Sequence, residues 1–183
     1  MKTIAITPLI AWFLVISPAI AAFFRVPIKV FMGFCALVGA AAVALLIAHS
    51  FGYQMTENLT ESLPGHFYLH KKGEPFVKGD LVAYRWHGGA TYPAGVTFIK
   101  RVVGVPGDKV ERINDEFWID NQLIGRAKPI SRAGVPLVPA DGGVIKPGEY
   151  FVATESVDSL DSRYAVTGNI KDAEIIGKAY EVF

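Results

Sequence analysis

Two short stretches carry residues able to do chemistry. Ser62 sits in Thr56-Glu-Asn-Leu-Thr-Glu-Ser-Leu-Pro64, and 38 positions later Lys100 interrupts the apolar run Phe98-Ile-Lys-Arg-Val-Val-Gly-Val-Pro-Gly-Asp108. A serine hydroxyl is a weak nucleophile until a base takes its proton. None of the four histidines (His49, His66, His70, His87) has an acidic partner at a recognisable spacing, which leaves lysine as the candidate base. A free ammonium with a pKa near ~10.4 cannot accept a proton at neutral pH. Burial among apolar groups disfavours the charged form and brings that value down. Side chains alternate along a strand, so Lys100 shares a face with Phe98 and Val102, while Arg101 points the other way with Ile99 and Val103. The spacing therefore predicts one desolvated cation beside a wet one. Each residue also has a blander role open to it: a lysine at a strand edge, a serine that shapes a turn.

The elements that must position this pair are short and β-type. After Gly52, runs of β-branched and aromatic residues alternate with Gly, Pro, Asn and Asp. Strands are expected at His66–His70, Asp80–Trp86, Val96–Val103, Lys109–Ile113, Glu116–Ile119, Gln122–Ile124, Tyr150–Ala153 and Ile175–Val182. Turns fall at Asn114-Asp115 and Asp120-Asn121. No long 3.6-residue periodicity follows residue 50. The fold class is therefore mainly β, an antiparallel and partly closed domain. Ala127–Val144 is rich in Pro and Gly and reads as a long excursion or flap.

The first fifty residues are of another kind. Ile4–Phe24 and Val30–Ala48 are 21 and 19 residues without a charge, each about the ~20 needed to cross a bilayer core. They read as two N-terminal transmembrane helices joined by the turn Arg25-Val-Pro-Ile-Lys29, giving a membrane anchor at 1–50 and a catalytic β domain at 51–183. The positive-inside rule places Arg25 and Lys29 in the cytoplasm and the domain outside it, although Lys2 opposes that orientation. A cleaved signal peptide ending near Ala19-Ile-Ala21 is the competing reading of the first span. Only 13 residues, His49 to Glu61, separate the second span from Ser62, so the serine stays near the lipid bilayer. Phe67, Tyr84 and Trp86 are read either as core residues or as groups dipping into the interface. After Ser50 the chain holds fifteen basic and seventeen acidic residues, a balance without the basic footprint of a nucleic-acid binder. Cys35 is the only cysteine and lies in the second span. No Cys/His spacing suits a metal, and no cofactor is expected.

Four segments taken together resemble a family. Ser62-Leu-Pro, Phe-Ile-Lys100-Arg-Val-Val-Gly-Val-Pro-Gly-Asp108, Asp158-Ser-Leu-Asp-Ser-Arg-Tyr164 and Ile176-Gly-Lys-Ala179 look like the ordered boxes of type I signal peptidases, the serine–lysine membrane endopeptidases. The short chain and the Thr-x-Ser-Leu-Pro form look most like the conjugative-transfer branch, the TraF peptidases. The resemblance implies Ser62 as nucleophile and Lys100 as general base. It implies Thr60 with the Ser62 N–H as the oxyanion hole, Ser159 as the residue orienting the lysine, and Asp161 and Arg163 as a structural ion pair near the site. It further implies a bacterial inner-membrane protein with its catalytic domain in the periplasm. The partner would be a membrane-associated precursor, a pilin or preprotein, with small residues before the cleaved bond. Two positions depart from the pattern: Ala153-Thr154 replaces a glycine-aspartate pair, and Gly65 stands where housekeeping enzymes carry threonine. The alternatives are a general peptidase for secretory leaders and a non-catalytic anchored β scaffold.

Overall fold

The computed structural model describes residues 27–58, 60 and 62–183. The first expected span, Ile4–Phe24, lies outside these residues. Met1–Ile47 and Ala48–Phe183 form two separate units.

Among the described residues, one helix is long and apolar enough to cross a membrane. It is α1 (Ile28–Ser50), 23 residues without an acid. At 1.5 Å per residue it is about 34 Å long, enough for a ~30 Å hydrocarbon core. Val30, Met32, Phe34, Leu37, Leu45 and Leu46 are all exposed on it. A helix with large apolar groups on every side has no water-facing face, which suits lipid rather than solvent.

The second unit is built from β1 (Tyr53–Glu57), β2 (Phe67–Lys72), β3 (Leu81–Arg85), β4 (Thr97–Gly104), β5 (Lys109–Ile113), β6 (Glu116–Ile119), β7 (Gln122–Arg126), β8 (Gly143–Val144), β9 (Glu149–Ala153), β10 (Ile170–Lys171) and β11 (Ile175–Glu181). Every pairing is antiparallel. A seven-stranded sheet runs β1-β2-β11-β3-β4-β9-β10, and a four-stranded sheet runs β7-β6-β5-β8. The two turns expected at Asn and Asp pairs are present. Asn114, Asp120 and Asn121 all adopt positive φ, the backbone that tight hairpins require.

Period-two alternation divides the large sheet's side chains between two cores. Val82, Tyr84, Trp86, Val102, Val152 and Ile170 pack on one side. Ala83, Ile99, Tyr68 and Ala179 pack on the other. Tyr84 and Trp86 are buried, which settles them as core residues rather than groups for the membrane interface. Phe67 packs against Phe183, ring centroids 5.1 Å apart. A third cluster joins the small sheet to β9 through Val110, Phe117, Ile119 and Phe151.

The two edges of β4 are covered unequally. β3 pairs with it along Thr97–Arg101, but β9 meets only Arg101, Val102 and Gly104. Among the described residues no strand pairs with the other edge of β4 over 97–100.

The expected flap is an ordered strap. Ile130 bridges Pro136, Leu137 N–H donates to Pro129 O and Ser131 N–H to Val135 O. The result is a small hairpin laid along the β domain between β7 and β8.

Candidate active site

Lys100 is 5% exposed and Arg101 is exposed, the division that strand alternation predicts. Val82 lies opposite Lys100 on β3, and Nζ lies 5.7 Å from the centre of the Phe98 ring. Apolar neighbours therefore replace most of the water an ammonium needs. Burial lowers the Lys100 pKa to about 8, the Asp161 carboxylate pulls it back up, and the Arg163 guanidinium offsets that pull. Arg101 instead donates from Nη1 to Gly79 O at 2.8 Å.

Ser62 lies in the loop between β1 and β2. Lys100 Nζ donates to Ser62 Oγ at 2.8 Å, so the fold brings together two residues 38 positions apart. Thr60 Oγ1 is 2.8 Å from the same oxygen and donates to Asn58 Oδ1 at 3.2 Å.

The loop is held by a residue that the sequence did not single out. Asn58 Nδ2 donates to Leu63 O at 2.9 Å and to Gly65 O at 3.0 Å, and its Oδ1 accepts the Thr60 N–H at 3.2 Å. One amide thus spans both sides of Ser62. Tyr68 adds a second brace, its hydroxyl donating to Pro64 O. Burial, with help from Glu181, raises the Tyr68 pKa and keeps that donor protonated. Gly65 has φ +79°, and a Cβ there would lie 2.8 Å from Glu181 Oε1. Glycine therefore suits this turn where threonine would be strained and crowded.

Asp161 and Arg163 form a buried fork. Arg163 Nε and Nη2 donate to the two carboxylate oxygens at 2.8 Å each. Arg163 Nη1 also donates to Arg126 O at 3.2 Å and Nη2 to Ser156 O at 2.8 Å. Thr154 N–H and Arg163 N–H complete the shell of Asp161. A buried pair is tolerable only when its remaining hydrogen-bonding groups are met in this way. Gly125 makes room for it, since a Cβ there would lie 2.6 Å from Arg163 Nη1.

Ser159 is buried and lines the same cavity as Ser62 and Lys100. Its hydroxyl has no hydrogen-bond partner, and neither does that of Thr154. Thr154 directly follows Ala153, the β9 residue that pairs with Arg101. The cavity itself has a volume of about 460 Å³ and extends along β4 from Thr97 to Lys100. Among the described residues no group of three or more His, Cys, Asp or Glu side chains is placed to hold a metal.

A buried lysine on a serine hydroxyl, donors beside that hydroxyl and an apolar cavity in front of it can support acyl transfer. The chain is also similar in sequence to known proteins. The chain is 31% identical over 167 residues to a protein named signal peptidase I from Bacillus amyloliquefaciens, covering 81% of this chain and 82% of that one. It is 33% identical over 172 residues to a conjugal transfer protein TraF from Agrobacterium tumefaciens, covering 80% of this chain and 93% of that one. A crystal structure of a signal peptidase I from Enterococcus faecalis aligns with 57% of this chain and 97% of its own, at 21% identity and a TM-score of 0.39. The family described as signal peptidase, peptidase S26 matches residues 25–183. On that match the chain belongs to the S26 signal peptidase family, whose members are serine peptidases acting on membrane-associated precursor proteins.

Proposed function

We propose that the protein is a membrane-bound serine endopeptidase that works through Ser62 and Lys100. The single observation that carries this reading is the 2.8 Å contact between Lys100 Nζ and Ser62 Oγ at a lysine whose pKa is lowered to about 8. At that value a usable fraction of the amine is neutral near pH 7 to 8.

The neutral amine takes the Ser62 proton as Oγ bonds to the substrate carbonyl carbon. The Ser62 N–H and the Thr60 hydroxyl donate to the oxygen that becomes negative. As the C–N bond breaks, the Lys100 ammonium returns its proton to the leaving amine. The acyl-enzyme at Ser62 is then released by water or by another amine. The unpartnered Ser159 hydroxyl, in the same cavity, takes up a hydrogen bond with the Lys100 amine and orients it during this cycle. Asp161 and Arg163 hold the loop that carries Ser159 and balance each other's field at Lys100. The substrate lies extended along the open edge of β4, where backbone groups of 97–100 are available for strand addition.

In this reading Ile4–Phe24 and Val30–Ala48 both cross the inner membrane, and residues 51–183 form a catalytic domain in the periplasm. The substrate we assign is a conjugative pilin precursor, which the resemblance to the conjugative-transfer branch implies; similarity to a conjugal transfer protein over 93% of its length supports that branch. General removal of secretory leaders is the second reading, supported by the comparably similar signal peptidase I of Bacillus. The test is co-expression with a candidate pilin precursor, and separately with a secretory precursor, using the wild type, Ser62→Ala and Lys100→Ala. Processing by the wild type alone supports the dyad, and the precursor that is cut decides between the substrates. Equal processing in all three proteins sinks the peptidase reading.

A further inference from the structure

A second pocket meets the first cavity at the serine. Thr60, Ser62 and Leu63 line both. Among the described residues, none from β4 lines the second pocket. One of its walls is the serine loop beyond the nucleophile, Leu63 to His66. The other is Glu155 and Ser156, which follow β9 past Thr154. Its volume of about 460 Å³ is in the range of ligand-binding clefts.

Both walls are held in place. The Asn58 amide fixes Leu63 O and Gly65 O on one side. On the other, Thr154 N–H donates to Asp161 Oδ2 at 3.3 Å, and Ser156 O accepts from Arg163 Nη2 at 2.8 Å. The buried ion pair thus pins the residue on each side of Glu155, while Glu155 itself is exposed. Among the described residues that line this pocket, Glu155 is the one carboxylate, and no lysine or arginine joins it. The first cavity differs. Lys100, Lys128 and Arg132 line it beside Glu57 and Asp158, and Lys128 and Arg132 both donate to Asp158.

We infer that the second pocket receives the substrate residues that follow the scissile bond, and that Glu155 selects a lysine or arginine at the first or second of them. The inference rests on the serine–lysine reading above. A bond cut at Ser62 has chain on both sides of it. The part that becomes the acyl group lies along β4, so the leaving part runs out past Ser62 on the side away from that strand. The pocket walled by Leu63 to His66 and by Glu155 is the concave surface that meets it there. A carboxylate on a pinned backbone, with no cation beside it in the pocket, attracts a basic side chain and repels an acidic one. Because Glu155 is exposed, water screens the effect, and the discrimination is modest.

The test uses the full-length protein in detergent with synthetic peptides spanning the cleavage site of a processed precursor. Lysine and glutamate are placed in turn at the first and second positions after the scissile bond, and the ratio of kcat/KM for the two peptides is read within each protein. The wild type should favour lysine by roughly fivefold at one of these positions. Glu155→Gln should bring that ratio close to one, and Glu155→Lys should reverse it in favour of glutamate. A ratio taken within one protein is independent of how much of it is folded, so impaired folding cannot mimic the reversal. If the wild type cleaves but shows no charge preference after the bond, or Glu155→Lys leaves the ratio unchanged, the inference falls and the dyad reading stands. If the wild type cleaves no better than Ser62→Ala, both fall.

Discussion

Arg163 grips both oxygens of Asp161 at 2.8 Å, and the two opposite charges act on Lys100 in opposite senses. Burial sets the proton affinity of Lys100, and the ion pair adjusts it through two opposed charges without donating a hydrogen bond to it. Replacing Arg163 with methionine leaves a bare carboxylate that favours the charged lysine. The pH at which activity is half-maximal should move upward, and stability should fall by about 3–5 kcal/mol, the usual cost of breaking a buried pair. Arg163→Lys keeps the charge and loses the fork, so it should restore the pH midpoint more than the stability. Activity profiles and urea unfolding of the three proteins check this.

Lys100 itself makes a prediction of unusual sign. Its folded pKa, about 8, is below its unfolded value, so the unfolded chain holds more protons between those two values. Stability should therefore rise with pH from about 8 to about 10.4. Lys100→Met should be inactive but more stable than the wild type at pH 7, by up to roughly 3 kcal/mol. That advantage should shrink above pH 8. Activity of the wild type should climb through about pH 8 as the amine loses its proton. Thermal melts across pH 6 to 10 give one curve and initial rates the other.

Asn58→Asp isolates the brace on the serine loop. The acceptor toward Thr60 survives while the two donors to Leu63 O and Gly65 O are lost. A stability cost of about 1–3 kcal/mol is expected from the unmet carbonyls. Activity should fall by on the order of tenfold through misplacement of Ser62. The pH midpoint should move upward as well, because the new carboxylate lies near Lys100 through Thr60 and Ser62 and favours the charged amine. Urea unfolding and a rate profile over pH read the two effects separately.

Ser159→Ala separates chemistry from stability. The buried hydroxyl has no partner, so removing it costs no hydrogen bond, and melting should be unchanged or slightly higher. A drop in turnover of about 10²-fold without loss of stability is the outcome expected of a residue that positions the base. Retention of full turnover would remove that role.

The legible parts of this protein are those where local chemistry is one-sided. The β-branched run at 97–103 declares a strand, and the lysine inside it declares its own burial by its neighbours. Asn114-Asp115 and Asp120-Asn121 announce turns because few other residues accept their backbone. β1 is not legible: Tyr53–Glu57 is only half-buried at best and takes its conformation from pairing with β2. Asn58 is equally hidden, since its partners are backbone carbonyls that any sequence supplies. Asp161 and Arg163 stand out only as part of a longer box. Nothing about an Asp-Ser-Arg triplet says that the pair will be fully enclosed, with Gly125 of the small sheet leaving the space for it. The strap is legible as irregular chain, but its hairpin closes through Ile130 and Pro136, a pairing no turn motif signals.

Half of one margin of β4 is left without a neighbour, and it opens into a hollow instead of onto the outer surface. A naked margin on the outside of a protein is an invitation for copies to zip together. Sunk in a recess, it admits only a slender, unravelled length of chain and turns away anything already folded. The geometry that keeps these molecules from fusing with one another would also spare finished proteins from being cut.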